Sequence, residues 1–298
     1  MTAGAAPEAA AGARAPAPTS TKNGGTMTTT PTPDRAGLLS LAVEAAREGG
    51  RVAAEGQAGI GVLDTKSSPT DVVTEMDRSV EELIRKRLHT ARPGDAVLGE
   101  EGGDEAGEGA VRWIVDPIDG TVNYLYGRGE WAVSIAAEVE GEVVAGAVAV
   151  PARGDLYTAV LGGGAFCNDQ AIQAAPAVPL ELALVGTGFG YESGRRAQQA
   201  EVLRSVLPRV RDIRRGGSAA VDLCELAHGR SNAYYERGLN QWDWGAAALI
   251  AQEAGARVGG LHGAPPTPDL VIAAAPELFV ELHDVLAPLG ADTDAAVG

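Results

Sequence analysis

The chain has 298 residues, 40 acidic and 24 basic, with a formal net charge of −16 and 45% hydrophobic content. This is an ordinary globular composition, long enough to bury a full core, and its acidity excludes partners held mainly by clustered Lys and Arg, namely nucleic acid and anionic membranes. Only two cysteines are present, Cys167 and Cys224, with no paired spacing; a reducing, cytoplasmic setting is expected rather than a disulfide framework.

Residues 1–33 are dominated by Ala, Gly, Pro and Thr and read as a disordered tail. No apolar run reaches the ~18 residues of a membrane span, so no membrane association is expected. The folded domain is read as residues 34–290. A helix is predicted over Arg35–Gln57, where Leu38, Leu41, Ala42 and Ala45 recur at helical spacing. A second is predicted over Glu75–His89, with Val80, Leu83, Ile84 and Leu88 turned inward and Glu81, Glu82, Arg85 and Lys86 toward solvent. The period then changes to strands: Val111–Val115, a hairpin of Trp131–Val139 and Val143–Val150 about Gly141-Glu142, and Leu156–Leu161 beside it.

From Pro179 the pattern alternates. Strands are predicted at Leu182–Gly186, Arg211–Arg214, Asn232–Glu236, Arg257–Val258 and Leu270–Ala274, and helices at Arg196–Leu207, Ala219–His228, Trp242–Ala254 and Pro276–Leu286. Residues 34–178 therefore read as an α+β half on an antiparallel sheet and 179–290 as an α/β half. Residues 291–298 read as a frayed end.

The strongest local signal is Trp113-Ile114-Val115-Asp116-Pro117-Ile118-Asp119-Gly120-Thr121. An apolar strand carries Asp116 to a sheet edge, Pro117 stops the ladder, and Asp119 follows across a tight turn, close enough for both carboxylates to meet one cation. The Ile118 carbonyl is a further oxygen donor, and the Gly120 and Thr121 N–H groups open a short helix suited to phosphate. Asp-Pro-x-Asp-Gly is also plain turn chemistry, but a turn alone needs neither two acids nor the Thr behind a buried strand.

Three weaker signals accompany it. Leu98-Gly99-Glu100-Glu101-Gly102-Gly103 places adjacent acids between glycines just before that strand. Trp242-Asp243-Trp244-Gly245 opens a late helix, with Asp243 at the N-cap position. In Lys66 to Asp77, Thr74 and Asp77 read as the N-cap and first-turn acid of the second helix.

Together these segments resemble the magnesium-dependent inositol monophosphatase family over about residues 35–290, which also takes in Gly217-Ser218-Ala219-Ala220 and Tyr234-Tyr235-Glu236. The stretch Asp116–Gly127 is most similar to its bacterial inositol-1-phosphatase branch. The resemblance implies a layered αβαβα sandwich of the sugar-phosphatase type and a site holding two or three Mg²⁺ ions. In it, Glu100, Asp116 and the Ile118 carbonyl would hold the activating ion. Asp116 would bridge to a second held by Asp119 and Asp243. Thr121 and Asp77 would orient the attacking water, with Lys66 a nearby charge and Glu101 outside the ligand set. Gly120 and Thr121 would bind phosphate, and Ser218, Ala219 and Glu236, beside Asp119 and Asp243, would meet the substrate. A homodimer and lithium sensitivity are further implications.

Elementary electrostatics agrees. Two unit charges at about 4 Å repel by about 4 kcal/mol at an effective dielectric of 20, so carboxylates gathered in one cleft need protons or cations. An all-oxygen donor set suits hard Mg²⁺ rather than Zn²⁺. The reading is hydrolysis of a small polyol phosphate monoester, myo-inositol 1-phosphate first. Histidinol phosphate, fructose 1,6-bisphosphate, 3′-phosphoadenosine 5′-phosphate, and a regulatory binding role on the same scaffold stay open. The loop Thr187–Tyr191, with Arg195 and Arg196, is read as a substrate-side or subunit-contact loop.

Overall fold

In a computed structural model the chain divides at Thr32/Pro33, and Met1 and residues 34–58, 61–65 and 72–293 are described. Lys66, Asp71, the expected tail over 2–33 and the last residues of the expected frayed end lie outside them. No helix among the described residues is long and apolar enough to cross a membrane. Cys167 and Cys224 are free and buried.

Helix α1 (Arg35–Gly56) is followed by the short pair β1 (Val62–Thr65) and β2 (Val72–Thr74) and by α2 (Glu75–Ala91). Thr74 caps α2 through the reciprocal box expected from its sequence, its backbone N–H donating to Asp77 at 2.8 Å. Next come β3 (Ala96–Gly99), β4 (Gly103–Glu105), β5 (Val111–Asp119), the single-turn α3 (Thr121–Leu125), β6 (Ala132–Val139), β7 (Glu142–Val150), β8 (Asp155–Val160), β9 (Ala165–Cys167) and β10 (Gln170–Ala171). These strands form one sheet in the order β10-β9-β8-β7-β6-β5-β3-β4, antiparallel except for the parallel β3/β5 pair. The expected hairpin is β6/β7.

Beyond it lie β11 (Leu184–Thr187), α4 (Ser193–Val206), β12 (Asp212–Arg214), α5 (Ala219–Ala227), β13 (Ala233–Glu236), α6 (Gln241–Glu253), β14 (Arg257–Gly259), β15 (Val271–Ala274) and α7 (Pro276–Leu286). The second sheet has the order β12-β11-β13-β15-β14, parallel across β12, β11 and β13 and antiparallel at β15 and β14.

Strand alternation sorts the buried residues into layers. On β5, Trp113 and Val115 pack with Leu38, Ala42, Val80 and Ile84 from α1 and α2, whereas Ile114 faces Leu223, Ala246 and Ile250 from α5 and α6. On the second sheet Tyr234 and Ala273 face α5 and α6, whereas Val185, Tyr235 and Ile272 face Val202 and Phe279 from α4 and α7. The result is an αβαβα sandwich, with α5 and α6 as its middle layer. Small residues make that layer possible: Gly245, Ala246, Ala247, Ala248 and Ala251 of α6 are all buried.

Several expectations change. The strand expected to stop at Val115 continues to Asp119; Pro117 interrupts the pairing instead, as a register shift between Asp116 and Asp119 opposite β6. Glu81, expected in solvent, is 2% exposed, because the β3–β4 turn folds over it. Asp243 is not the N-cap of α6: Asn240 is, and Asp243 sits one turn in, accepting the Asn240 N–H at 2.6 Å. Ala291, expected at the start of a loose end, is buried against the α4/α7 layer.

Candidate active site

The end of β5 is the centre of the site. After Asp116 the chain leaves its ladder, and the Asp116 carboxylate accepts the Ile118 N–H at 3.0 Å, closing the turn around Pro117. Gly120 adopts φ +91°, and a Cβ there would stand 3.0 Å from the Glu130 carbonyl and 3.1 Å from that of Gly217. Glycine is required on both counts. Asn123 staples the turn to the second half of the chain by donating to the carbonyls of Glu130 (2.6 Å) and Gly216 (2.9 Å).

Around that turn the fold gathers most of the acids singled out in the sequence. Asp116, Asp119 and Asp243 place carboxylate oxygens within 4.8 Å of one another. Glu100, from the β3–β4 turn, and Ile118 line the same cavity of about 430 Å³. Burial, then repulsion from Glu100, Asp119 and Asp243, raises the Asp116 carboxyl well above its ordinary range. Burial and Glu100 do the same to Asp243. Burial pushes Asp119 up to about 6, even though Ser218 and the Ala219 and Ala220 N–H groups stabilise its charge.

Carboxylates so close and so buried are unfavourable unless protons or cations neutralise them. The cluster consists of oxygen donors without His or Cys, so the residues present fit a hard divalent cation such as Mg²⁺.

The Thr121 hydroxyl donates its one proton to either Asp77, at 3.0 Å, or the Ile118 carbonyl, at 3.1 Å. Asp77 is fully buried behind Thr121 and is fixed from its other oxygen by Thr74. Ala219, Gly120 and Glu236 line the cavity as expected. Ser218 does not; its side chain donates to Asp119 at 2.5 Å and caps α5 at Val221 N. Glu101 is absent from the lining of this cavity and lies 4.0 Å from Arg78.

The cavity lining also carries residues that the sequence did not single out, Arg215 and Arg237, together with Arg195. Arg215 favours the charged forms of Asp119, Asp222 and Glu236. Burial pushes Glu236 up to about 7 and Asp222, also unremarked in the sequence, up to about 8. The basic pair Arg214-Arg215 before Gly216-Gly217 was the available signal. Phe189, Gly190 and Tyr191 also line the cavity, and Arg196 holds this loop by donating to the Tyr191 carbonyl at 2.6 Å.

Comparison with known proteins agrees with this geometry. The model of the inositol monophosphatase family matches residues 34–289. An inositol-1-monophosphatase of Mycobacterium bovis is 50% identical over 236 residues, covering 75% of this chain and 81% of the relative. The solved structure of Mycobacterium tuberculosis SuhB superposes with a TM-score of 0.75 at 43% identity, over 88% of this chain and all of that one. A protein of Pasteurella multocida named Nus factor SuhB is 35% identical over 260 residues, 86% of this chain and 97% of its own.

Proposed function

This chain belongs to the inositol monophosphatase family, and we propose that it is a Mg²⁺-dependent phosphatase that hydrolyses a small polyol phosphate monoester, myo-inositol 1-phosphate before others. The observation that carries the reading is the meeting of Asp116, Asp119 and Asp243 within 4.8 Å, in a cavity also lined by Glu236 and the arginines Arg195, Arg215 and Arg237.

In this reading Glu100, Asp116 and the Ile118 carbonyl would hold one ion, and Asp116, Asp119 and Asp243 would hold a second. When bound, such ions activate water, neutralise phosphoryl oxygens and stabilise the leaving alkoxide. The chain's own groups do the rest. Thr121 donates a hydrogen bond to Asp77, which leaves its oxygen lone pairs free to accept from, and so aim, the attacking water. The same donation leaves the Ile118 carbonyl open on the cavity side. The Gly120 and Thr121 N–H groups bind the phosphate. Ala219 and Glu236 meet the polyol, Glu236 accepting hydrogen bonds from its hydroxyls, and Ser218 acts by holding Asp119 in place. We further propose a cytoplasmic homodimer whose turnover lithium inhibits.

The test is release of free phosphate from myo-inositol 1-phosphate with Mg²⁺ and with excess EDTA. Histidinol phosphate, fructose 1,6-bisphosphate and 3′-phosphoadenosine 5′-phosphate form the comparison panel, ranked by kcat/KM. Release with Mg²⁺ that EDTA stops supports the reading. The likeness to a relative named a Nus factor favours a second reading, a regulatory binding protein. Absence of release from every ester, with a stable protein complex, selects it instead.

A further inference from the structure

β11 and β13 are parallel neighbours, with Gly186 beside Tyr234 and Thr187 beside Tyr235. Side chains alternate along a strand. Tyr234 faces the middle helical layer and Val185 the outer one. Gly186 and Gly188 thus share a sheet face with Tyr234 and Glu236. Both glycines leave space that these two side chains fill. A Cβ on Gly186 would stand 3.0 Å from the Tyr234 ring, and one on Gly188 would stand 2.1 Å from both Glu236 carboxylate oxygens. Real Cβ atoms do not approach that closely, so the carboxylate lies directly over Gly188. The Tyr234 hydroxyl donates to the same carboxylate at 2.5 Å and fixes its orientation. Gly188 is not among the glycines with positive φ, so its backbone accepts alanine. What gives way is the end of the Glu236 side chain.

We propose that Gly188 is a specificity-determining position: with Gly186 it seats the Tyr234–Glu236 pair so that the carboxylate reaches the hydroxyl-bearing end of the substrate, and any side chain there turns Glu236 away. The proposal rests on the polyol-phosphatase reading above. Gly188 touches no reacting atom; it acts through Glu236 and is a positioning residue.

The experiment is a double-mutant cycle of Gly188→Ala and Glu236→Ala. Its readout is the ratio of kcat/KM for myo-inositol 1-phosphate to that for phenyl phosphate, which has no ring hydroxyls. A charged hydrogen bond withdrawn from a bound hydroxyl lowers this ratio by roughly 10- to 100-fold. Gly188→Ala is expected to lower it within that range in the parent and to have no further effect in Glu236→Ala, a non-additivity that a general structural defect does not produce. Tyr234→Phe, which removes the other anchor of the carboxylate, lowers the ratio in the same direction and serves if Gly188→Ala does not fold. A selective parent with an unchanged ratio in Gly188→Ala, or equal losses from Gly188→Ala with and without Glu236, overturns the proposal. If Gly188→Ala does not fold, an unchanged ratio in Tyr234→Phe does so. A parent that releases phosphate from no ester overturns the functional reading instead.

Discussion

The Thr121 hydroxyl lies 3.0 Å from the Asp77 carboxylate, joining the start of α3, just beyond β5, to the first turn of α2. Two residues 44 positions apart in the sequence are thereby joined by one hydrogen bond beside the cavity that Thr121 lines. Positioned proton-transfer groups contribute about 10²- to 10⁴-fold to rate. Thr121→Val is expected to lower kcat on myo-inositol 1-phosphate within that range while KM changes little, and Thr121→Ser to recover most of it. A kcat near the parent's in Thr121→Val removes this pair from the chemistry.

Asp116 is repelled by Glu100, Asp119 and Asp243 and is 1% exposed. Asp116→Asn is expected to lower turnover by at least about 10³-fold, about 4 kcal/mol of barrier, with an unchanged circular dichroism spectrum. In EDTA the variant melts no lower than the parent, because a buried, repelled charge has gone. Near-parental turnover contradicts its assignment.

Glu81 accepts the N–H groups of Glu101 at 2.8 Å and Gly102 at 2.7 Å, and pairs with Arg85 at 2.8 Å. It therefore fixes the turn that presents Glu100, from the same helix that carries Asp77. Groups behind metal ligands typically contribute about 10- to 100-fold in affinity. Glu81→Gln is expected to weaken Mg²⁺ binding in that range by calorimetry. Unchanged affinity would show that the turn stands without it.

Asp119 (about 6), Glu236 (about 7) and Asp222 (about 8) are all raised, burial being the first cause in each. A raised carboxyl means that the folded state holds protons which the unfolded chain has released. This contribution is full below the unfolded values near 4 and is lost as pH rises through the folded ones. The metal-free protein in EDTA is expected to lose several degrees of Tm between pH 5 and pH 8. Saturating Mg²⁺ shrinks that loss, since cations favour the ionised acids. A flat metal-free profile contradicts the burial of these charges.

Asp222 allows a cleaner version of the same test. It accepts the Gly216 N–H and is repelled by Glu236 and Asp119. Asp222→Asn keeps an acceptor and removes the charge, so it is expected to raise Tm at pH 9 and not at pH 5. Equal effects at both pH values contradict the ionisation argument.

Much of this site could be read in the sequence because its chemistry is compressed into short segments. Asp116 to Thr121 carries two acids, the strand break and the phosphate-binding turn within one stretch, and Thr74/Asp77 carries its own capping signature. Glu81 was hidden because it flanks the apolar stripe of α2 and looks like its solvated neighbour Glu82; only the turn folding back from β3 buries it. β3 itself is four residues long, too short for a period to show. Arg215 and Arg237 reach the cavity, and Asp222 comes within range of Glu236 and Asp119, through the packing of distant segments, a relation that no local pattern encodes. The glycines under Tyr234 and Glu236 depend on strand register, which is likewise set by the tertiary structure.

The most direct measurement is a calorimetric titration of Mg²⁺ into EDTA-stripped protein, run beside Asp116→Asn. Saturable binding to the parent at more than one ion per chain, lost or reduced to a weak single event in the variant, is the expected result. A parent that takes up no Mg²⁺, or a variant that binds as the parent does, would show that these buried acids serve something other than a cation-assisted attack on phosphate.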